Sequence, residues 1–288
     1  MEITGGEATI HPQITEIIEF ACSLNFVQIS LLSNGLNLND RLLNTIVKNK
    51  DKIFVQIDMH SFDKEYLLWF TKVHSVLENA RKNIEFLAQQ KVKMRVATII
   101  TPKNLDEFEP IANWVHSLGI AHYGVSLVIP IGRAVDHSEL LLNQEELVRF
   151  DESLVRINNT YKNFLNLIDV PIAQHGNNCG ALTSHCIITA KGDIKLCNMD
   201  NLKYFNSNFG NVFEKNIKDL YNDNFEFINS FINLPTVKET SEECKKCENY
   251  NFCYQCILRS LIKANELKEK CNWYNEVVPN DIKKRLFA

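Results

Sequence analysis

Residues 1–35 read MEITGGEATIHPQITEIIEFACSLNFVQISLLSNG and hold the pattern that decides the fold class. A short strand over EIT leads into a Gly-Gly-Glu turn, and a helix with regularly spaced apolar residues follows over 12–25. A buried strand, FVQISLL, comes next and ends at Ser33-Asn34-Gly35. A strand, a helix and a second strand joined by short connections indicate two parallel strands with a right-handed crossover.

The same alternation continues along the first part of the chain. Further strands are predicted at IFVQIDM (53–59), KMRVATIIT (93–101) and HYGVSLVIP (122–130). Helices are predicted over 39–49, 67–90, 104–119 and 143–163. Five such units are fewer than the eight of a full barrel, so a doubly wound sheet and an incomplete barrel both fit. In either fold the ligand-binding loops follow the carboxyl ends of the strands, where GGE, SNG, DMHS, TPKN and PIGR fall.

Composition excludes several classes of function. The net charge is −4 and 45% of the 288 residues are hydrophobic, so the chain can bury a sizeable core and has no basic surface for nucleic acid or anionic membranes. No apolar run approaches the roughly 20 residues that span a bilayer. We therefore expect a soluble cytoplasmic protein without nucleic-acid or membrane partners.

Cysteine is distributed unevenly. The chain has nine cysteines, of which eight lie between positions 179 and 271 and Cys22 stands apart on a predicted helix as a core thiol. This asymmetry predicts a domain boundary at residue 172, with domains over 1–172 and 173–288. In an apparently cytosolic chain such clustering indicates metal binding before disulfides. Ligand spacing alone leaves iron-sulfur clusters and zinc both open.

The second domain differs in its predicted structure. The stretch CIITAKGDIKLC (186–197) indicates a hairpin with its turn at residues 191–193. A helix over 218–231, the dense run CKKCENYNFCYQC (244–256) and a helix over 257–270 follow. A small α+β domain built around cysteines is therefore expected.

These motifs, taken in order, resemble one known family. The stretch ITGGEATIHP resembles the Gly-Gly-Glu strand end of radical S-adenosylmethionine (radical SAM) enzymes, and the cysteine array resembles the SPASM extension of the branch that modifies peptides and proteins. The resemblance extends through SNG, VQIDMHSFDKEY, ATIITPKNLDEF, VIPIGRA, GDIKLC, FGNVFE and CKKCENYNFCYQC. It implies an α/β fold, a partial (β/α)6 TIM-like barrel that lacks its first unit, followed by a cysteine-rich α+β SPASM domain.

The resemblance also implies a site for S-adenosylmethionine. Gly5 and Gly6 lack side chains, so their backbone can approach the methionyl group, and Glu7 would accept from its ammonium. Asp58 occupies the strand end that faces the ribose in relatives, and Arg133 is similar to a recurrent arginine that could hold a carboxylate. Ala8 departs from the usual proline. No catalytic side chain is identified.

Two auxiliary [4Fe-4S] clusters are implied by the SPASM pattern. Cys179, Cys197 and Cys256 resemble the ligands of the inner cluster, with Cys186 as candidate fourth ligand. Four further cysteines resemble the ligands of the outer cluster: Cys244, Cys247, Cys253 and Cys271. The gap between Cys253 and Cys256 is one residue shorter than is usual in the family.

The family binds its catalytic cluster through a C-x3-C-x2-C loop ahead of the Gly-Gly-Glu strand. The 288 residues contain no such triplet. The resemblance therefore implies that a first strand, cluster loop and first helix are absent and that this chain is inactive alone. A misplaced start codon or a fragmentary coding sequence explains this better than a functional relative without the cluster.

The expected activity is hydrogen abstraction from a ribosomal peptide or a protein, giving a thioether or carbon–carbon crosslink. Its partners would be that substrate and an electron donor such as flavodoxin or ferredoxin. One alternative is a non-catalytic iron-sulfur module that binds a peptide or relays electrons; another is a structural zinc protein. A sulfatase-maturating enzyme is disfavoured because Asn198 stands where those relatives carry an aspartate, and an asparagine cannot act as a base.

Overall fold

The computed structural model describes residues 1–167, 180–198, 200, 204–205, 207–237, 242–254 and 256–287. The chain divides into two compact units, Met1–Asp169 and Val170–Ala288. The boundary between the units lies close to the predicted one at residue 172, within a stretch outside the described residues. Each unit is considered separately below.

Unit 1 is a six-stranded parallel sheet with the strands in sequential order. The strands are β1 (Glu2–Ile3), β2 (Ile29–Ser33), β3 (Ile53–Asp58), β4 (Lys93–Ile100), β5 (His122–Leu127) and β6 (Leu165–Leu167). With right-handed crossovers, sequential order places the helices on one face, as in a TIM barrel, whereas a doubly wound sheet reverses its order at the centre. The topology therefore decides for the barrel-like alternative.

The helices of unit 1 alternate with these strands. They are α1 (Ile14–Ser23), α2 (Asp40–Lys48), α3 (Lys64–Thr71), α4 (Val76–Gln89), α5 (Phe108–Ser117) and α6 (Gln144–Thr160). Asn39 begins α2 by accepting from the Leu42 backbone N–H (2.9 Å), and Asn143 begins α6 within a capping box. Short 3-10 turns lie at Ala8–Ile10, Leu105–Glu107, Gly132–Asp136 and Ser138–Leu140.

Two predictions for unit 1 were wrong in detail. The single helix predicted over 67–90 is two helices, because Lys72 and Ser75 both adopt φ near +60° and end the helical path. The strand β6 was not predicted, since Leu165–Leu167 is too short to show a clear periodicity. A sixth strand extends the sheet by one position beyond the five that the pattern indicated.

The core of unit 1 lies between the sheet and its helices. In β3 the side chains of Ile53, Val55 and Ile57 are fully buried, while the alternate residues Phe54, Gln56 and Asp58 are largely but not fully buried. Helix residues such as Ile18, Ile46 and Ile84 complete the buried cluster. The opposite face of the sheet, called the polar face here, carries Gln56, Asp58 and their neighbours at β4, with Gln56 in register with Arg95.

Unit 2 begins with the predicted hairpin, in which β7 (Ile187–Ile188) pairs antiparallel with β8 (Ile194–Lys195). Gly192 in its turn has φ +85°, which glycine adopts without steric cost. The helices of unit 2 are α7 (Ile217–Asp223), α8 (Phe225–Ile232), α9 (Glu242–Lys245), α10 (Tyr250–Cys253), α11 (Ile257–Leu267), α12 (Asn272–Glu276) and α13 (Asn280–Phe287).

Candidate functional site

The polar face of the sheet in unit 1 carries a linked row of side chains. Arg95 donates from Nε to Oε1 of Gln56 (2.9 Å), and Gln56 donates from Nε2 to Oδ1 of Asp58 (3.3 Å). Asp58 is the last residue of β3, so this row ends at the carboxyl edge of the sheet. Ligand-binding groups of parallel α/β folds lie at this edge.

Asp58 is an unusual carboxyl group. Its pKa is raised to about 6, chiefly by burial and in smaller part by the charge of Glu7, while the Gln56 hydrogen bond and the charge of Arg95 lower it. The influence of Glu7 on this pKa places the Gly-Gly-Glu turn and the end of β3 in one neighbourhood. A buried carboxylate with a perturbed pKa at a strand end is a candidate functional group.

The Gly-Gly-Glu turn is held by the side chain of Glu7. Oε1 accepts from the Thr9 backbone N–H (3.0 Å), the Thr9 hydroxyl (2.6 Å) and the Ser33 hydroxyl (2.9 Å), while Oε2 accepts from the Asn34 N–H (2.7 Å). A carboxylate offers about four lone-pair sites, so these four donors use most of its capacity. Glu7 therefore ties the turn after β1 to the turn after β2, and its predicted ammonium contact stays a prediction.

The two glycines leave open space at this turn. A Cβ built on Gly5 or Gly6 would meet no atom within 4 Å, and Gly5 has φ +149°, which L side chains rarely adopt. The backbone here is accessible to a ligand that approaches closely. This geometry fits a methionyl group as predicted, without testing the contact itself.

Arg133 lies in the 3-10 turn Gly132–Asp136 after β5, with an exposed side chain. It follows a strand end, as do Glu7 and Asp58, but no contact joins it to either of them within the described residues. Its predicted carboxylate-binding role stays a prediction.

Four thiols of unit 2 are mutually close. The pKa of Cys253 is raised to about 12, chiefly by burial and then by the neighbouring thiols Cys271, Cys247 and Cys244, while Lys263 lowers it. The pKa of Cys271 is likewise raised, chiefly by burial and in smaller part by Cys244 and Cys247. Hydrogen bonds from the backbone N–H groups of Tyr274 and Trp273 lower it. These are the four residues that the sequence grouped as the outer cluster.

The donor set suits an iron-sulfur cluster. Thiols that raise one another's pKa are poorly ionised without a metal. A bound cationic cluster coordinates the thiolates and so offsets the repulsion between their negative charges. Among the described residues, no three His, Cys, Asp or Glu side chains are arranged to hold a single metal ion. Four thiolates are also a donor set that zinc accepts, so metal analysis distinguishes the two.

The predicted inner set is less complete. Cys179 lies outside the described residues, Cys186 is exposed at the start of the hairpin, and Cys197 follows β8. Cys256 is the residue that precedes α11, next in sequence to the outer set. The described residues thus bring together the outer four thiols, while the inner assignment stays a prediction.

Sequence reasoning missed Gln56 and Arg95. The signal that could have found them is the strict alternation in VQIDM and KMRVA, where polar residues two positions apart share one face of a strand. Cys22 was correctly placed in the core, since it packs partly buried against the hydrophobic cluster of unit 1.

His60, two residues after Asp58, gives a pH-dependent prediction for stability. Burial lowers its pKa to about 4, and its Nδ1 accepts from the Ile99 N–H (3.2 Å) while its ring packs edge-on to Phe70. Because the unfolded chain titrates near 6.5, it binds more protons than the folded chain between pH 6.5 and 4, so stability falls as pH falls through that window. We expect urea unfolding to show a loss of about 1–3 kcal/mol from this group.

The matched variants are His60→Gln, which keeps an acceptor for Ile99, and His122→Gln, which alters an exposed histidine of β5. The loss of stability between pH 6.5 and 4 should be smaller in His60→Gln and unchanged in His122→Gln. An equal pH dependence in wild type and His60→Gln would contradict this assignment.

A search for membrane spans found none among the described helices, none of which combines sufficient length with sufficient apolar character.

Two family models match the chain. The model of the Radical SAM superfamily matches residues 1–115, which include β1 to β4. The model of the iron-sulfur cluster-binding domain SPASM matches residues 179–256. The first match contains Glu7 and Asp58, and the second contains Cys244, Cys247 and Cys253.

Named relatives match over most of the chain. The antilisterial bacteriocin subtilosin biosynthesis protein AlbA of Bacillus subtilis is 26% identical over 276 residues, which are 94% of this chain and 60% of that protein. An AdoMet-dependent heme synthase of Oleidesulfovibrio alaskensis is 22% identical, covering 89% of this chain and 69% of that protein. Their names describe different products, so the family alone does not identify a substrate.

A solved structure has the same fold. Streptococcus suis SuiB bound to its precursor peptide SuiA superposes with a TM-score of 0.70 at 17% identity, covering 91% of this chain and 62% of that one. The chain thus spans about three-fifths of the length of AlbA and of SuiB.

The two domains imply S-adenosylmethionine and iron-sulfur clusters as cofactors. The sequential parallel sheet, the Gly-Gly-Glu turn beside Asp58 and the grouped thiols of unit 2 agree with both matches. Residues 1–115 thus carry a domain of the radical SAM superfamily, and residues 179–256 carry a SPASM iron-sulfur cluster-binding domain.

Proposed function

We propose that this chain provides the S-adenosylmethionine-binding and auxiliary-cluster parts of an enzyme that modifies a peptide or protein by hydrogen abstraction. The observation that carries the proposal is the presence in one chain of a buried carboxylate beside the Gly-Gly-Glu turn and of four mutually close thiols. SuiB, which shares the fold, is named as bound to its precursor peptide, and this supports a ribosomal peptide as substrate.

In unit 1 the cofactor would lie across the carboxyl ends of β1 and β3. Gly5 and Gly6 offer open backbone to the methionyl part, and Glu7 fixes the turn that carries them. Asp58 would accept from the ribose hydroxyls, and Arg133 would hold a carboxylate of cofactor or substrate. When bound, S-adenosylmethionine would supply the 5′-deoxyadenosyl group that takes one hydrogen atom from the substrate and becomes 5′-deoxyadenosine, and the iron-sulfur clusters would supply and accept the electrons.

In unit 2 the outer cluster would be held by Cys244, Cys247, Cys253 and Cys271. The inner cluster would be held by Cys179, Cys197 and Cys256, with Cys186 as fourth ligand. Cys253 is partly buried, a setting that limits the access of water to a cluster and tunes its potential. A small redox protein such as flavodoxin or ferredoxin would supply electrons.

The product class we propose is a thioether or carbon–carbon crosslink in a ribosomal peptide. The test uses two preparations: the chain itself, and the chain with an N-terminal extension encoded by the DNA directly upstream in the same reading frame. Each is incubated with S-adenosylmethionine, a reductant and a candidate precursor peptide. We expect 5′-deoxyadenosine and a peptide mass lower by two hydrogen atoms in at least one of the two.

Two other outcomes have distinct meanings. Peptide binding without 5′-deoxyadenosine in both preparations would favour the non-catalytic iron-sulfur module. Failure of both preparations to bind S-adenosylmethionine would overturn the proposed function.

A further inference from the structure

The turn that follows Asp58 is fixed to the neighbouring strand at its first residue. The Met59 N–H donates to the Ala97 carbonyl (2.9 Å), and the Met59 carbonyl accepts from the Thr98 hydroxyl (2.5 Å). The ladder between β3 and β4 thus continues one residue beyond the strand.

Asn104 holds the second residue of the turn. Its Nδ2 donates to the carbonyls of His60 (2.6 Å) and Ile99 (2.9 Å), and its Oδ1 accepts from the N–H (2.7 Å) and hydroxyl (3.1 Å) of Thr101. The side chain is fully buried. An amide has two donors and two acceptor sites, so every hydrogen-bonding position of Asn104 is in use and its geometry is fixed.

Glu107 holds the last two residues of the turn. Its Oε2 accepts from the Phe62 N–H (2.6 Å), and its Oε1 accepts from the hydroxyl of the fully buried Ser61. Hydrogen bonds to a carboxylate are about twice as strong as neutral ones. The Phe62 ring also packs edge-on to Trp114 of α5 at 5.4 Å between centroids.

The side chain of Asp58 makes few contacts that would fix its position. Within the described residues it accepts one hydrogen bond, the long one from Gln56 (3.3 Å). The direction in which the Asp58 carboxylate points is therefore set by the backbone before and after it. Because each residue from 59 to 62 is tied to the segment 97–107, that segment determines where the carboxylate lies.

We propose that Asn104 and Glu107 are positioning residues that clamp the turn 59–62 and so hold the Asp58 carboxylate in place for the ribose of the bound nucleoside. This inference rests on the proposed binding of S-adenosylmethionine at the carboxyl edge of β3. It extends the site to two residues that contact neither the cofactor nor Asp58.

The test measures the affinity of the full chain for S-adenosylmethionine by equilibrium dialysis. Glu107→Ala should weaken binding about tenfold, and Glu107→Gln, whose amide still accepts one hydrogen bond, should weaken it less. Asn104→Ala should also weaken binding. The control is Glu109→Ala, which removes a carboxylate from α5, the helix that begins directly after Glu107; Glu109 pairs with Arg156 and contacts no residue of the turn.

A double-mutant cycle separates positioning from general destabilisation. If Glu107 acts through Asp58, then Asp58→Asn combined with Glu107→Ala should bind no more weakly than Asp58→Asn alone. If the losses of affinity from the two substitutions are fully additive, the clamp is wrong but the proposed function stands. The same holds if Glu107→Ala and Glu107→Gln bind S-adenosylmethionine as tightly as the wild-type chain while Asp58→Asn binds it weakly. A wild-type chain that does not bind S-adenosylmethionine would overturn the proposed function and the clamp with it.

Discussion

Replacing Cys253 by alanine should remove one cluster, lowering the iron content of the reconstituted chain from about eight to about four per molecule. Cys253 is the most strongly perturbed of the four grouped thiols, with a pKa raised to about 12 by burial and by Cys271, Cys247 and Cys244. It lies near the other three, and its removal leaves one iron of a cluster built for four thiolates without a protein ligand. Metal analysis after anaerobic reconstitution with iron and sulfide is the measurement.

The control for this experiment is Cys22→Ala. Cys22 lies on α1 in unit 1 and packs against the core, so its replacement should leave the iron content unchanged. Circular dichroism distinguishes loss of a ligand from loss of the fold. An unchanged iron content in a folded Cys253→Ala chain would contradict the outer ligand set.

Asp58→Asn should weaken S-adenosylmethionine binding by about tenfold to a hundredfold while making the chain more stable. A ribose held by a carboxylate forms charge-assisted hydrogen bonds worth about 1.5–3 kcal/mol, which an amide reproduces only in part. The stability gain arises because asparagine removes the cost of burying a charge. Equilibrium dialysis and urea unfolding report the two effects on one variant.

The pH dependence of that stability gain has a definite sign. The folded pKa of Asp58 is about 6 and the usual value is 3.8, so the folded chain binds the proton more tightly. Wild-type stability is therefore reduced as pH rises from about 4 to about 6, by roughly 1–3 kcal/mol in total. The advantage of Asp58→Asn should be large at pH 8 and vanish near pH 4.

A variant that loses affinity without gaining stability at pH 8 would argue against a buried charge at Asp58. A variant that gains stability but keeps its affinity would remove Asp58 from the binding site. His60 is expected to make stability increase as pH rises through nearly the same window, whereas Asp58 makes it decrease. The two effects therefore partly cancel in the wild-type chain. Single variants are needed to see either.

Much of the fold of unit 1 was predictable because its strands are apolar and its helices periodic. IFVQIDM and KMRVATIIT became β3 and β4 within a residue or two. The alternation of strands and helices did not decide between a barrel segment and a doubly wound sheet, since strand order depends on contacts far apart in sequence; the family resemblance indicated the barrel, and the sequential strand order confirmed it. The break at Lys72 and Ser75 was also hidden, because neither residue is a helix breaker by type.

The candidate site was predictable only where a residue belongs to a motif. Glu7 and Asp58 were found by resemblance, whereas Asn104 and Glu107 act through hydrogen bonds between elements that sequence spacing does not show. The number of bonds that Glu7 makes to Thr9, Ser33 and Asn34 could not be read from GGE either. Motifs locate a site, and tertiary contacts decide how its members are held.

The most direct test of the account is a count of iron, acid-labile sulfide and zinc per chain after anaerobic reconstitution. We expect about eight irons and about eight sulfides, as two [4Fe-4S] clusters require, with absorbance near ~400 nm and negligible zinc. Bound zinc without iron or sulfide would contradict it, because the cysteines of unit 2 would then form structural zinc sites.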